Sequence, residues 1–281
     1  MRLSLLLFLV VFLNGGGFAQ AAGSSLAPDI SMVPHKALYN IEMVSKSSGT
    51  QILNISGQMY YEWRPGCDAW TTDHRFNLLY EYTDSLPIRI TSDFSTYEAF
   101  DGTGFDFTSR RKRNGVLYQE VRGRADKVME DITGQAIYTI PDNLVFDLDK
   151  GTLFPMAHSL NILEKAQKGE KFYSAVIFDG SDEEGPVEVN SFIGRTVKAA
   201  DLVNFPLEVN KSLIDGKAWK IRMAFFPLLE PMSDSEYEMD VIFHENGVIS
   251  DMKVEYRDFS VVQKLVALVK LENAHCEESQ D

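Results

Sequence analysis

Cysteine is nearly absent from this chain. Two occur among 281 residues, Cys67 and Cys276. They form no C-x-x-C pair, so a thioredoxin-like redox role has no support. Neither has a second cysteine or a histidine at zinc-finger spacing, although His275 adjoins Cys276. Histidine is scarce too. His35, His74, His158, His244 and His275 form neither H-x-x-x-H nor H-x-x-E-H, which argues against the common zinc-hydrolase motifs. No G-x-S-x-G elbow is present. Basic residues are the minority, 27 against 41 acidic, for a formal net charge of −14. That balance excludes the concentrated basic surface that nucleic acid requires. It also opposes simple electrostatic adhesion to anionic membranes. The one basic cluster, SRRKRNG at 109–115, flanks a turn and reads as a solvated hairpin tip.

Long apolar runs are missing except at the start. Leu3 to Leu13 follows Arg2 and is interrupted only by Ser4, and Ala19-Gln20-Ala21 then supplies a small-x-small cleavage pattern. The run falls short of the ~20 residues a membrane span needs. Residues 1–21 therefore read as a cleavable secretory signal peptide. No cysteine follows the apolar run closely, which argues against a lipid-modified N-terminus. The mature chain is expected to begin near Ala22, with 22–34 as a flexible tail and 35–281 as one domain. Secretion means an oxidising compartment, where the leading expectation for two cysteines is a Cys67–Cys276 disulfide. Free thiols, including a nucleophile, and metal ligation are the alternatives.

What the chain does have is period-two alternation. Ala37, Tyr39, Ile41 and Met43 alternate with polar neighbours, as do Phe76, Leu78, Tyr80 and Tyr82. Trp219, Ile221, Met223 and Phe225 repeat the pattern, followed by Tyr237, Met239, Val241 and Phe243, then Val248, Met252, Val254 and Tyr256. Asn114-Gly115 and Asn246-Gly247 each separate two such runs, a hairpin signal because both residues tolerate positive φ. Asp101-Gly102, Asp179-Gly180 and Asp215-Gly216 are further candidate turns. One stretch breaks the pattern: after Pro155, the residues Leu160, Ile162, Leu163 and Ala166 recur at helical spacing up to Gly169, which predicts a helix over about 156–168. The expected fold is mainly β and antiparallel, either two sheets or one continuous curled sheet. Parallel α/β folds are excluded because helices do not alternate with strands.

The remaining chemistry is thin. Glu98, Asp101 and Asp106 lie close enough in sequence to supply an acid/base pair, but acidic residues are common here and coincidence explains them better. The DGTG at 101–104 has the wrong order for an aspartic-protease loop. Asp73 and His74 resemble a dyad, yet strand neighbours point to opposite faces. His158 reads as a buried, hydrogen-bonded structural histidine. Strand-face aromatics and methionines, among them Tyr39, Tyr61, Phe76, Tyr80, Met223 and Phe225, are either core or the lining of an apolar groove suited to an acyl chain.

Several ordered stretches carry a resemblance: PHKALYNIEM at 34–43, GQMYYEWRPGCDAWTTDHRF at 57–76, DFSTYEAFDGTGFDF at 93–107, GTLFPMAHS at 151–159, VIFDGS at 176–181 and the late Cys276. Together they resemble the cell envelope integrity protein B family of alphaproteobacteria. The resemblance implies a periplasmic location and a long antiparallel sheet coiled into a β-spiral, shaped like periplasmic lipoprotein carriers and receptors. It implies a disulfide at Cys67 and Cys276 and a role in maintaining the envelope under stress. It carries over no catalytic residue, metal or cofactor. The resulting expectation is a non-enzymatic protein that binds a lipid-like ligand or an envelope protein.

Overall fold

The alternating runs become strands of one sheet. The computed structural model describes residues 32–128, 133–228, 234–273 and 276; the expected signal peptide at 1–21 and most of the expected tail at 22–34 lie outside them. Eight strands come first: β1 (His35–Lys46), β2 (Ile52–Pro65), β3 (Ala69–Tyr82), β4 (Ile88–Ala99), β5 (Gly104–Arg113), β6 (Val116–Val128), β7 (Thr133–Ile140) and β8 (Val145–Leu148). Helix α1 (Pro155–Gln167) follows, then β9 (Phe172–Ile177), β10 (Val187–Val197), β11 (Ala218–Pro227), β12 (Tyr237–His244), β13 (Ile249–Tyr256) and β14 (Phe259–Lys270). No described helix is long and apolar enough to cross a membrane.

The order in the sheet is β8-β7-β6-β5-β4-β3-β2-β1-β14-β13-β12-β11-β10-β9, antiparallel throughout. Two meanders thus meet where the first strand pairs the last, from His35 opposite Lys270 to Lys46 opposite Phe259. The sheet curls hard. Tyr80 of β3 reaches Phe259 of β14 across two intervening strands, with ring centroids 6.5 Å apart. At Gly57 the strands approach so closely that a β-carbon would lie 2.1 Å from the Asn77 carbonyl oxygen, a position only glycine fills. The described strands do not close into a barrel. The edges β8 and β9 are linked instead by the chain between them: the Leu153 amide donates to Val176 O (2.8 Å) and Leu153 O accepts from the Phe178 amide (2.9 Å).

The turns follow their residues, with one difference. Asn114 (φ 49°) and Gly115 (φ 84°) both adopt the left-handed region, as a two-residue hairpin loop requires. At 246–247 only Gly247 does. The Gly247 amide donates to His244 O and the His244 amide to Val248 O, which makes a longer loop with glycine at the bulge. Asp179-Gly180 lies in the β9–β10 connection and Asp215-Gly216 precedes β11, so neither forms a tight hairpin.

Helix α1 lies against the concave side. Ile162, Leu163 and Ala166 join the main core with Tyr39, Ile41, Ile55, Met59 and the inward residues of β10 to β14. Pro155 opens the helix with its φ preset, and no side chain of the preceding loop caps it. The cap comes from β4. Glu98, 2% exposed, accepts the Met156 amide at Oε2 and the Ala157 amide at Oε1, both at 2.8 Å. A carboxylate there also meets the positive end of the helix dipole. Lys127 holds the loop just before, donating to Thr152 O (2.9 Å) with its ammonium 4.1 Å from the Phe154 ring centroid. The helix ends as expected at Gly169 (φ 76°), with the Glu170 amide donating back to Lys165 O.

The far end of the chain is stapled to the first meander. Leu271 donates to Pro34 O (2.8 Å), and Cys276 then bonds Cys67 in the β2–β3 turn, with Cα atoms 5.5 Å apart and a sequence separation of 209. Neither cysteine is therefore available as nucleophile or metal ligand. Val33 of the tail already donates to Asn246 O (2.9 Å), so hydrogen bonding starts ahead of β1.

Two outcomes follow. The bond restrains the unfolded chain by as much as ~5 kcal/mol. Cys67→Ser should lower the thermal midpoint in oxidising buffer, and reductant should lower the wild type equally while leaving the variant unmoved; equal midpoints in both comparisons would contradict a structural bond. Glu98 gives a pH signature. Burial raises its pKa from 4.5 to about 7, opposed by the two amide bonds and by Lys127. The folded state thus holds this proton more tightly than the unfolded chain. Its contribution is intact below about pH 4.5 and declines, by roughly 3 kcal/mol at most, as pH rises through about 7. The midpoint of wild type should fall relative to Glu98→Gln over that window, and a pH-independent difference would refute the assignment.

Candidate functional site

Pairing fixes which side chains face inward. Across β2, β3, β4 and β5 the rows are Met59–Phe76–Ser92–Arg111 and Tyr61–His74–Phe94–Ser109. A third row runs Gly57–Leu78–Ile90–Arg113. Two apolar cores occupy the inside. The main one is formed by α1, β1, β2 and β9 to β14. The second gathers Phe105, Phe107, Val121, Ala125, Ala136, Tyr138 and Leu148 of β5 to β8 around Phe154 and Phe178. The inward apolar side chains of the middle of β3 and β4 are fully buried in neither. Phe76, Leu78, Tyr80, Ile88, Ile90 and Phe94 stay half-buried, as do Tyr61 and His74 beside them. A water-reachable apolar wall therefore separates two closed cores.

A belt of rings borders this wall. Phe225 stacks on Tyr237 (4.3 Å), Tyr237 meets Tyr256 (5.7 Å), Tyr256 meets Phe259 (4.9 Å), and Phe259 meets Tyr80. His74 sits edge-on to Tyr61 at 4.6 Å, and burial lowers its pKa to about 4, so it is neutral at physiological pH. Burial raises Tyr80 to about 12 and Tyr61 further, which keeps both hydroxyls protonated. The wall is apolar with neutral polar points, suited to an uncharged chain.

The six candidate lining residues divide. Tyr39 (1% exposed) and Met223 (7%) lie inside the main core, and the Tyr39 hydroxyl donates to Ile249 O at 2.6 Å. Tyr61, Phe76, Tyr80 and Phe225 pack at its border, where they can still be reached. Ile90 and Phe94 join them without having been singled out from sequence, as do Leu78 and Tyr256, which the alternation marked as strand-face residues but not as lining. The alternation in β4 is interrupted by Ser92 and Thr96, and only register places its apolar members on this wall.

The acidic trio separates. Glu98 turns inward to the helix, Asp101 accepts from Thr103 within its own turn, and Asp106 pairs with Arg124 on the exposed side. Asp73 accepts from Ser95 while His74 faces inside, so the two do not cooperate. His158 is buried and stacked near Tyr173 (5.9 Å), but its Nε2 has no hydrogen-bond partner among the described residues. That corrects the expectation of a hydrogen-bonded histidine: the ring is retained by packing, and burial lowers its pKa to about 4.

Known proteins share this fold. The EipB-like family model matches residues 26–272. Cell envelope integrity protein EipB of Brucella abortus (strain 2308) is 30% identical over 256 residues, covering 90% of this chain and 88% of that protein. A crystal structure of a β-barrel-like protein of a domain of unknown function from Brucella abortus superposes with a TM-score of 0.78 at 27% identity, covering 86% of this chain and 99% of that one. By a family match over residues 26–272 and by fold, this chain belongs to the EipB-like family.

Proposed function

We propose that this chain is a non-enzymatic periplasmic protein that supports cell-envelope integrity by holding an apolar, lipid-like ligand along the inner wall of β3 and β4. The half-buried apolar wall between two closed cores carries this reading. The name of the Brucella relative supports the envelope role. The disulfide and the N-terminal apolar segment support an oxidising compartment outside the cytoplasm. An acyl chain laid on the wall gains roughly 0.8 kcal/mol for each methylene covered, so affinity should rise about fourfold per methylene until the wall is filled.

A partner-only scaffold is the second reading. It rests on Phe172 and Phe192, paired on the outer face of β9 and β10, 74% and 49% exposed with ring centroids 5.2 Å apart. Mass spectrometry of protein purified from its own periplasm separates the two. The groove reading expects an acyl-bearing molecule with the wild type and its loss from Phe76→Ser/Leu78→Ser, with the fold retained by circular dichroism. A wild type that is empty yet bound to a stoichiometric protein would overturn it in favour of the scaffold.

A further inference from the structure

One charged side chain, Arg111 of β5, stands beside the wall in the middle of the three inward rows. Of the inward positions on β3 to β6, charge occurs at Glu98, Arg111, Arg113 and Lys127, the last held by Thr152 O and the Phe154 ring. Glu98 is committed to the helix. Arg113 is exposed at the hairpin end with its guanidinium over Tyr118. Arg111 is half-buried and shares its row with Ser92 and Phe76. It donates to Gln119 Oε1 (2.9 Å) and to Ser181 O (3.3 Å), both neutral acceptors. No carboxylate lies within ion-pair distance of it among the described residues, whereas Arg64, Arg110, Arg124 and Arg222 each have one. A guanidinium has five N–H donors, so several remain unused. Across the strand pair, the half-buried Ser92 hydroxyl makes no hydrogen bond among the described residues.

We propose that Arg111, with the Ser92 hydroxyl beside it, binds the anionic head, a carboxylate or phosphate, of a single-chain amphiphile whose tail lies along Phe76, Leu78, Ile90 and Phe94. The inference rests on the groove reading. Strands spaced roughly 4.8 Å apart put Phe76 two strands, roughly 10 Å, from Arg111, a span within reach of an extended dodecyl tail. A planar fork of donors suits either oxyanion. The nearby acids set the side from which the head binds. Asp179 is occupied by the Ser181 amide, Asp182 by the Glu184 amide, and Glu236 stands beside them. All three would repel a head displaced from Ser92 toward the β9–β10 loop.

Calorimetric titration of the full mature chain with dodecanoate, dodecyl phosphate and dodecan-1-ol tests the assignment. Wild type should bind both anions roughly tenfold or more tighter than the alcohol, as a charged hydrogen-bonded contact requires. Arg111→Gln should bring those ratios close to one and leave the alcohol's affinity unchanged, while Arg113→Gln, with the same change in net charge, should keep them. Ratios in Arg111→Gln equal to wild type would overturn the head-group assignment and leave the groove intact. Equal loss of all three ligands, with a lowered midpoint, would make Arg111 a structural tie to Ser181 and also overturn it. If wild type binds none of the three, the groove reading falls and the inference with it.

Discussion

The pairing of β1 with β14 is the constraint on which the rest of the molecule depends. It joins residues at opposite ends of the chain, with His35 opposite Lys270, and merges two meanders into one sheet. Each meander alone is a series of local hairpins, whereas this seam requires closure of the entire chain. Its closure entropy is offset by an unusually long ladder and by burial of Tyr39, Ile41, Val261, Leu265 and Leu268 on its inner side. The disulfide crosses the same seam, from beyond β14 over β1 to the β2–β3 turn. Covalent and non-covalent restraints thus act at one place.

Placing the termini at mid-sheet puts the middle of the chain at the edges. Exposed edges invite pairing with other chains, and here the 150–154 segment and α1 occupy the gap between them. The helix is anchored from across the curl by a buried carboxylate rather than by its own preceding loop. Two sequence blocks that carry the family resemblance, around Glu98 and around Phe154, therefore meet at a single contact. Because α1 packs in the main core with β9 to β14, and Phe154 and Phe178 pack beside β5 to β8, the half-buried wall falls to β3 and β4.

Local physics made much of this legible. Strand alternation in β1, β3 and β11 to β13 gave the correct inward faces, because the period of two is a property of the backbone. Pro155 and Gly169 bracketed the helix because each has a conformational preference that ends or begins one. The cysteines had a single possible partner. Long-range register was not legible. Nothing in the spacing of Glu98 distinguishes a helix cap from an acid/base candidate until β4 is placed opposite Met156. Tyr39 and Phe76 look alike in alternation, yet one is sealed in the main core and the other only borders it. Asn246 resembles Asn114 as a turn residue, but the bulge at the end of β12 moves positive φ to Gly247 alone.

On the proposed function, the inner wall of β3 and β4 admits an apolar chain while the flanking cores do not. A methyl-labelled sample titrated with a doxyl-labelled fatty acid reads this directly by nuclear magnetic resonance. Paramagnetic broadening should centre on the Leu78, Ile88 and Ile90 methyls and spare Ile221 and Leu265 in the main core. Broadening confined to outward residues such as Leu207, or none at saturating probe, would contradict the account.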